Sequence, residues 1–185
     1  MIRRVKVQPD RKVSPEVWAN VPRRDIYVML DNVRSAQNVG AMFRTCDAAM
    51  VGRLFLSGIT CYPPNRKLAK TALSSEQYVP WEYHQTAEAA VARIRGLGIP
   101  IVAVETATNS INCFEYEFPR PACLVFGHEV AGVSAEVISM CDAVVHIPMS
   151  GIKNSMNVAV AHGIVVFEVL RQYMRRFPEP PKKTL

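Results

Sequence analysis

The sequence predicts an α/β fold with a mainly parallel sheet and helices on both of its faces. Four short runs, IYVML, PIVAV, ACLVF and AVVHI, are continuously apolar, as strands covered on both faces should be. Helical patterns separate these runs, so that strand and helix alternate along the chain. The 185 residues are 49% hydrophobic and 21% charged, which is typical of one globular domain with a substantial core.

The first half of the chain is expected to contain two strands and two helices. A buried strand is predicted at Ile26–Leu30, followed by a helix over Asn38–Met50 with apolar residues at helical spacing. A short strand is predicted at 54–56. Two prolines indicate a loop over Cys61–Arg66, and a short helix over Lys67–Leu73 can follow it.

The second half continues the alternation. Thr86 is expected to cap a helix that ends at Leu97, before Gly98. The other predicted elements are strands at Pro100–Val104, Ala122–Phe126 and Ala143–Ile147, a short helix over Ser134–Met140 with Ser134 as its N-cap, and a last helix from Asn154 to about Phe177, ended by Pro178.

Charge divides the chain into three parts. Residues 1–24 carry seven basic and two acidic side chains. Residues 171–185 carry five basic side chains and one acidic side chain, and the stretch between these two segments has a net charge of −3. We therefore expect a basic arm over 1–24, a domain over 25–177 and a short basic tail over 178–185. Basic ends on a nearly neutral body favour a polyanion such as nucleic acid as partner, although solubility alone also explains them.

The cysteines and the apolar runs indicate a reducing cytoplasm. The five cysteines are widely spaced and form no C-x-x-C pair, which disfavours both a disulfide framework and a zinc site. The first residues are charged and contain no apolar segment of the kind a secretory signal needs. The longest apolar run, 158–170, contains His, Gly and Glu and is too short to span a bilayer, so no membrane association is expected.

Polar residues and glycines follow four of the predicted strands, where the ligands of parallel α/β sheets bind. Every one of these residues also has a simpler structural explanation. The Asn and Ser residues can be helix caps, and the glycines can serve only for tight turns. Glu129 can be a surface carboxylate, and Arg44 can be a solvated helix residue that pairs with Asp47. His146 and His162 lie in apolar surroundings and are expected to be core histidines. The sequence does not decide the role of His128. The residues after the four strands include Asn32, Arg34, Asn38 and Arg44, then the segment 105–110, then Gly127, Glu129 and Gly132, and finally Ser150, Lys153, Asn154, Ser155 and Asn157.

Several common enzyme classes lack their signatures here. The sequence contains no G-x-G-x-x-G fingerprint, no P-loop, no G-x-S-x-G elbow and no cluster of metal ligands. The residues alone therefore predict a cytosolic α/β domain with a polar site at the strand ends, suited to a nucleotide-like ligand.

Three of these segments, taken in order, resemble the three sequence motifs of the SpoU/TrmH group of SPOUT RNA methyltransferases. The first is Asn38-Val-Gly-Ala-Met-Phe-Arg44, an Asn followed six residues later by an Arg. The second is Leu124-Val-Phe-Gly-His-Glu-Val-Ala-Gly-Val-Ser134, with G-x-E-x-x-G after a strand. The third is Ile147-Pro-Met-Ser-Gly-Ile-Lys-Asn-Ser-Met-Asn-Val158, and the resemblance covers about Asp25 to Arg176.

The resemblance implies a C-terminal trefoil knot, a homodimer, S-adenosyl-L-methionine as cofactor, and methylation of a ribose 2′-hydroxyl in RNA. The implied catalytic residues are Arg44, Asn38, Glu129, Ser155 and Asn157. The implied cofactor contacts are Val104, Gly127, Ile147, Met149, Ser155 and Met156. Within this family Arg44 would be the base, but a guanidinium is rarely deprotonated, so a phosphate anchor is the alternative role. Asn38 and Glu129 would orient Arg44 or the RNA, and Ser155 and Asn157 would hold the loop.

The resemblance leaves the RNA substrate open. Segments 31–35 and 105–110 look closer to tRNA-modifying members, so tRNA is favoured over rRNA, and a catalytically silent RNA-binding module is the remaining alternative. The candidate phosphate contacts are basic residues in the arm and beyond the second predicted strand: Arg3, Arg4, Lys6, Arg11 and Lys12, together with Arg66, Lys67 and Lys70.

Overall fold

Strands and helices alternate along the protein, which is described here by a computed structural model over residues 13–177. In chain order the helices are α1 (Pro15–Ala19), α2 (Ala36–Ala48), α3 (Arg66–Ala72), α4 (Ala87–Gly96), α5 (Ala135–Ser139) and α6 (Val158–Arg176). The strands are β1 (Arg24–Asp31), β2 (Val51–Ser57), β3 (Trp81–His84), β4 (Ile101–Val104), β5 (Ile111–Asn112), β6 (Ala122–Phe126) and β7 (Ala143–His146).

All seven strands form one parallel sheet in the order β3-β2-β1-β6-β4-β7-β5. Side chains of β1 alternate between the faces, as the pleat requires. Ile26, Val28 and Leu30 pack with residues of α2, α3 and α6, while Met29 packs with residues of α4 and α5 on the opposite face. This arrangement confirms the predicted α/β class with helices on both faces, and it brings the carboxyl ends of all strands to one edge of the sheet.

The last helix begins later than predicted. It was expected from Asn154 but starts at Val158, because the side-chain oxygen of Asn157 accepts hydrogen bonds from Ala159 N (2.9 Å) and Val160 N (3.3 Å) and so caps the first turn. Residues 148–156 consequently form no helix or strand. The trefoil knot implied by the resemblance stays a prediction.

Four short elements of the described residues were not predicted, one of them a 3₁₀ helix at Ser75–Gln77. β3 and β5 lie in the outer part of the sheet, and their residues are half-buried or exposed rather than continuously apolar. Helix α1 lies inside the predicted arm, and β1 begins at Arg24, one residue before the predicted domain. The proposed division at residue 24 stays a prediction.

Helix α3 packs closely on α2 at Gly40. A Cβ at Gly40 would lie 2.1 Å from the Thr71 hydroxyl and 2.4 Å from the Leu68 carbonyl oxygen, so only glycine fits here. Thr71 also donates a hydrogen bond to the Gln37 carbonyl (3.1 Å). These contacts fix α3 beside the N-terminal turn of α2.

Within residues 13–177 no helix has both the length and the hydrophobicity that a bilayer crossing requires. The same described range contains no cluster of side chains able to hold a metal ion. The five cysteines are free thiols.

Candidate functional site

A cavity of about 440 Å³ opens at the carboxyl edge of the sheet, a size suited to a small-molecule ligand. The ends of β4, β6 and β7, the loops that follow them and the first turn of α6 contribute its lining. All six positions expected to contact a cofactor line this one cavity: Val104, Gly127, Ile147, Met149, Ser155 and Met156.

One wall of the cavity is the tightly bonded loop over residues 127–133. His128 and Gly132 exchange backbone hydrogen bonds of 2.9 and 2.8 Å, and a Cβ at Gly127 would lie only 2.1 Å from the carbonyl carbon of Gly132. Nδ1 of His128 accepts hydrogen bonds from Val130 N (3.1 Å) and Ala131 N (3.2 Å). Gly127 is therefore required for the close approach of two backbone segments.

Glu105, at the end of β4, ties this loop to the neighbouring strand end. Its carboxylate accepts hydrogen bonds from Thr106 N (2.8 Å) and Val133 N (2.9 Å). Gly132 has a φ of +72°, and a Cβ there would lie 2.2 Å from a Glu105 carboxylate oxygen. The sequence placed Glu105 directly after a predicted strand, but nothing in its spacing indicated this bridging role.

The other wall is the segment over residues 148–156. No hydrogen bond joins residues 149–156 to any other residue that the structure describes. Most of their side chains are exposed, and Ile152 projects fully into solvent. The backbone N–H and C=O groups of this segment therefore stay available for a ligand.

A chain of side-chain hydrogen bonds connects three strand ends. Nδ2 of Asn157 donates to Oδ1 of Asn38 (3.1 Å), and Nδ2 of Asn38 donates to Oε1 of Glu129 (2.9 Å). Glu129 also accepts from Ser35 N (2.9 Å) and Arg34 N (3.0 Å). Since Asn157 caps α6, this series of hydrogen bonds connects the start of α6, through α2, to the loop after β6.

These hydrogen bonds set the charge state of Glu129. Partial loss of hydration opposes ionisation of the carboxyl, but the hydrogen bonds from Asn38 and from the backbone of Arg34, Glu129 and Ser35 outweigh it and lower the pKa of Glu129. Glu129 is therefore a carboxylate at neutral pH and a weak proton acceptor.

A second cavity of about 390 Å³ adjoins the first. Both cavities are lined by His128, Glu129 and Val130. The second cavity is completed by Lys67 of α3 and by residues 34–38, at the start of α2. Glu129 therefore lies where the two cavities meet.

Arg44 lies outside this cluster in the described chain. It is exposed on α2, six residues after Asn38, which places it roughly 9 Å further along the helix and about 120° around it. It lines neither cavity, and its side chain makes no hydrogen bond or ion pair with residues 13–177. Within one chain Asn38 and Glu129 make no contact with the Arg44 side chain, and the expectation that they orient Arg44 or the RNA stays a prediction.

The other expected residues divide by location. Ser155 lines the first cavity, while Arg66, Lys67 and Lys70 are exposed on α3. Arg3, Arg4, Lys6, Arg11 and Lys12 lie outside the described residues.

His146 differs from its expected role, whereas His162 and Ser134 occupy their expected positions but make different hydrogen bonds from those expected. His146 is not a core residue: it lines the first cavity, and its Nδ1 lies 2.9 Å from the Ser110 hydroxyl. His162 is fully buried as expected, but its Nδ1 has no hydrogen-bond partner among the described residues. Ser134 is the N-cap residue of α5, as predicted, but its side chain accepts no hydrogen bond from the first turn, and its hydroxyl donates instead to the buried Asp31 carboxylate (2.9 Å).

Comparison with known proteins points to one family. The model of the SpoU rRNA Methylase family matches residues 25–167. The chain is 32% identical over 150 residues to the tRNA (guanosine(18)-2′-O)-methyltransferase of Escherichia coli K12, covering 80% of this chain but only 64% of that enzyme.

Two solved structures extend the match to the fold. The TrmH/SpoU tRNA modifying enzyme of A. aeolicus superposes with a TM-score of 0.75 at 31% identity, over 83% of this chain and 78% of that one. The AdoMet-bound rRNA methyltransferase of Sinorhizobium meliloti superposes with a TM-score of 0.75 at 27% identity, over 91% and 62% of the two chains.

Proposed function

Because the chain belongs to the SpoU rRNA Methylase family, we propose that it transfers a methyl group from S-adenosyl-L-methionine to a ribose 2′-hydroxyl in structured RNA, with tRNA favoured over rRNA. The observation that carries this proposal is the pair of adjoining cavities that meet at Glu129. The E. coli relative acts on tRNA and the S. meliloti relative on rRNA. The higher sequence identity is to the tRNA enzyme.

The first cavity fits the cofactor. Apolar side chains such as Val104, Ile147 and Met156 suit the faces of an adenine ring, and the unbonded backbone groups of residues 149–156 suit its edge. When bound, S-adenosyl-L-methionine supplies an electrophilic methyl group on its sulfonium sulfur. Loss of that methyl group converts the sulfonium into a neutral thioether.

The second cavity would hold the target nucleotide. Lys67 supplies positive charge for a phosphate, and the side chains of Gln37 and Asn38 offer polar groups to a ribose or base. Because the two cavities share His128, Glu129 and Val130, a hydroxyl bound in the second would face a methyl donor bound in the first. Such alignment is the main contribution that a protein makes to this reaction.

Glu129 acts in this scheme as a positioning residue. Its oxygens already accept hydrogen bonds from Asn38, Ser35 and Arg34, and its pKa is lowered, so it is a poor acceptor for the hydroxyl proton. It holds Asn38, and through it Asn157, in one orientation. The proton must therefore pass to another group, such as an RNA phosphate or water.

Arg44 would be supplied by a second copy of the chain. Val160, Phe167 and Met174 recur every seven residues along α6 and are 54%, 46% and 58% exposed, which forms an apolar stripe suited to a homodimer contact. Helix α2 packs beside α6. We infer that dimerisation through this stripe carries Arg44 to the partner's cavities, where its guanidinium would anchor a phosphate.

Subunit complementation tests this role. Arg44→Ala and Ser155→Trp are each expected to abolish methyl transfer as homodimers, the second because the larger side chain would fill the first cavity from a segment that makes no hydrogen bond to the rest of the described chain. If Arg44 serves the partner, a mixed dimer contains one intact site, and mixing the two inactive proteins restores activity. If Arg44 serves its own chain, both sites of the mixed dimer are defective and the mixture stays inactive. Light scattering establishes the dimer independently.

The overall activity is tested with purified protein, labelled S-adenosyl-L-methionine and unmodified tRNA or rRNA. We expect label on a ribose 2′-oxygen of tRNA, mapped by nuclease digestion and mass spectrometry. Labelling of rRNA alone would reverse the substrate preference. RNA binding without methyl transfer to either would instead identify a catalytically silent module.

A further inference from the structure

An aromatic cluster lies outside both cavities. The ring of Tyr62 lies 4.3 Å from that of Tyr83 and 6.2 Å from that of Trp81, measured between centroids. Trp81 and Tyr83 are two residues apart on β3, so their side chains share one face of the strand. They are half-buried against the core, and Tyr62 covers them while remaining 45% exposed.

The surface beside this cluster carries positive charge without matching negative charge. Residues 58–75 include Arg66, Lys67 and Lys70 and no acidic residue. All three cations are exposed on α3, and none forms an ion pair with a residue in the described range 13–177. An exposed aromatic ring four to eight residues before unpaired cations matches the chemistry of a nucleic-acid strand, whose bases stack and whose phosphates are anionic.

The cluster is also positioned to continue the second cavity. Tyr62 follows β2, so it belongs to the same carboxyl edge of the sheet as the residues that line the cavities. Lys67 lines the second cavity and lies five residues after Tyr62, which limits their separation to about 18 Å. The packing of α3 on α2 at Gly40 fixes the helix that carries Lys67 beside residues 34–38 of the second cavity.

We propose that Tyr62 and the three cations of α3 bind the RNA strand that flanks the target nucleotide, with an unpaired base stacked on the Tyr62 ring. This inference rests on the proposed function, because it assumes that an RNA nucleotide occupies the second cavity. Stacking on Tyr62 contributes affinity that is nearly independent of salt, whereas Arg66, Lys67 and Lys70 contribute the salt-dependent part.

Binding of an unmodified tRNA transcript to the full chain, measured by fluorescence anisotropy at several salt concentrations, separates the two contributions. Tyr62→Leu keeps an apolar side chain but removes the aromatic face, and it should weaken binding by about 5- to 100-fold with an unchanged salt slope. Tyr62→Phe, the matched control, should bind within about 2-fold of the parent. Lys70→Gln should lower the slope of log K against log salt by about one.

A photo-crosslink provides a second measurement that needs no substitution. RNA containing 4-thiouridine should crosslink to the tryptic peptide 54–66, which contains Tyr62. Unchanged affinity of a folded Tyr62→Leu protein, or crosslinks that avoid this peptide, would overturn the inference. Failure of the proposed function looks different, because the parent protein would then neither bind RNA nor transfer methyl groups.

Discussion

The loop over residues 127–133 and the segment over residues 148–156 line the same cavity but are built in opposite ways. The loop is held by its own backbone bridge, by the His128 side chain and by Glu105. Residues 149–156 have no hydrogen bond to the rest of the described chain. One wall therefore exists before any ligand arrives, whereas the other depends on the ligand for its polar contacts.

This difference predicts how the site responds to change. A bonded wall tolerates little alteration, because each bond lost leaves a polar group unsatisfied. An unbonded wall tolerates substitution in the free protein, and it orders when a ligand supplies the missing partners.

Gly127→Ala should produce the largest effect. Its new Cβ would lie 2.1 Å from a backbone carbon of Gly132, so the bonded wall must distort, and we expect a loss of about 3 kcal/mol or more in unfolding free energy together with loss of cofactor binding. Gly151→Ala is the matched control in the unbonded wall, because a Cβ there meets nothing within 4 Å. Denaturant unfolding and cofactor titration measure both. Equal losses of unfolding free energy and of cofactor affinity in the two variants would contradict the distinction between the two walls.

Acid should destabilise the protein through His162, which lies near the start of α6, the helix that follows the unbonded wall. Burial lowers the pKa of His162 from its ordinary 6.5 to about 3, so the unfolded chain binds a proton between those values and the folded chain does not. This group should therefore reduce stability as pH falls from about 6.5 towards 3, by up to about 1.4 kcal/mol per pH unit.

Comparison of the parent with His162→Gln and His162→Leu tests this pH dependence, since neither replacement titrates. Both variants should show a flatter dependence of unfolding free energy on pH below about 6. An undiminished slope in both would assign the acid sensitivity to other groups.

Glu129→Gln should reduce methyl transfer more than stability. The new amide nitrogen cannot accept the bonds that Glu129 receives, so at least one of Asn38, Ser35 and Arg34 loses its acceptor. Because Glu129 is exposed at the cavity rim, we expect only about 1 kcal/mol in unfolding free energy, but at least about a tenfold loss of kcat. Cofactor affinity is the control and should change little. Parental kcat in this variant would exclude Glu129 as a positioning residue.

The smallest effect concerns the amide protons of the two walls. Hydrogen exchange should be fast across residues 149–156 in the free protein and slower with S-adenosylhomocysteine, while the bonded amides of residues 130–133 stay protected in both states. Equal protection of both segments without ligand would contradict the proposed contrast.

Much of the fold could be predicted, because burial in a parallel sheet leaves continuous apolar runs. β6 was predicted at its observed limits, and β4 and β7 within one residue. β3 could not be found in this way: its residues WEYH are all half-buried, as expected at the edge of a sheet. The order of the strands depends on contacts between distant segments, which periodicity does not record.

The site was predicted less evenly. Strand ends indicated where polar groups would collect, and the family motifs selected positions that do line one cavity. Periodicity could not separate Asn157, the true cap of α6, from Asn154 and Ser155 three and two residues earlier. Arg44 belongs to the same motif as Asn38, yet helix geometry separates the two within one chain.

The bond between Asn157 and Asn38 spans 119 residues of sequence. A polypeptide emerging from the ribosome, N-terminal end first, can build most of the sheet before that bond has both of its partners. Prematurely terminated translation products that stop before residue 157 would thus lack the bond that joins α2 to the start of α6, although they contain every residue that lines the second cavity.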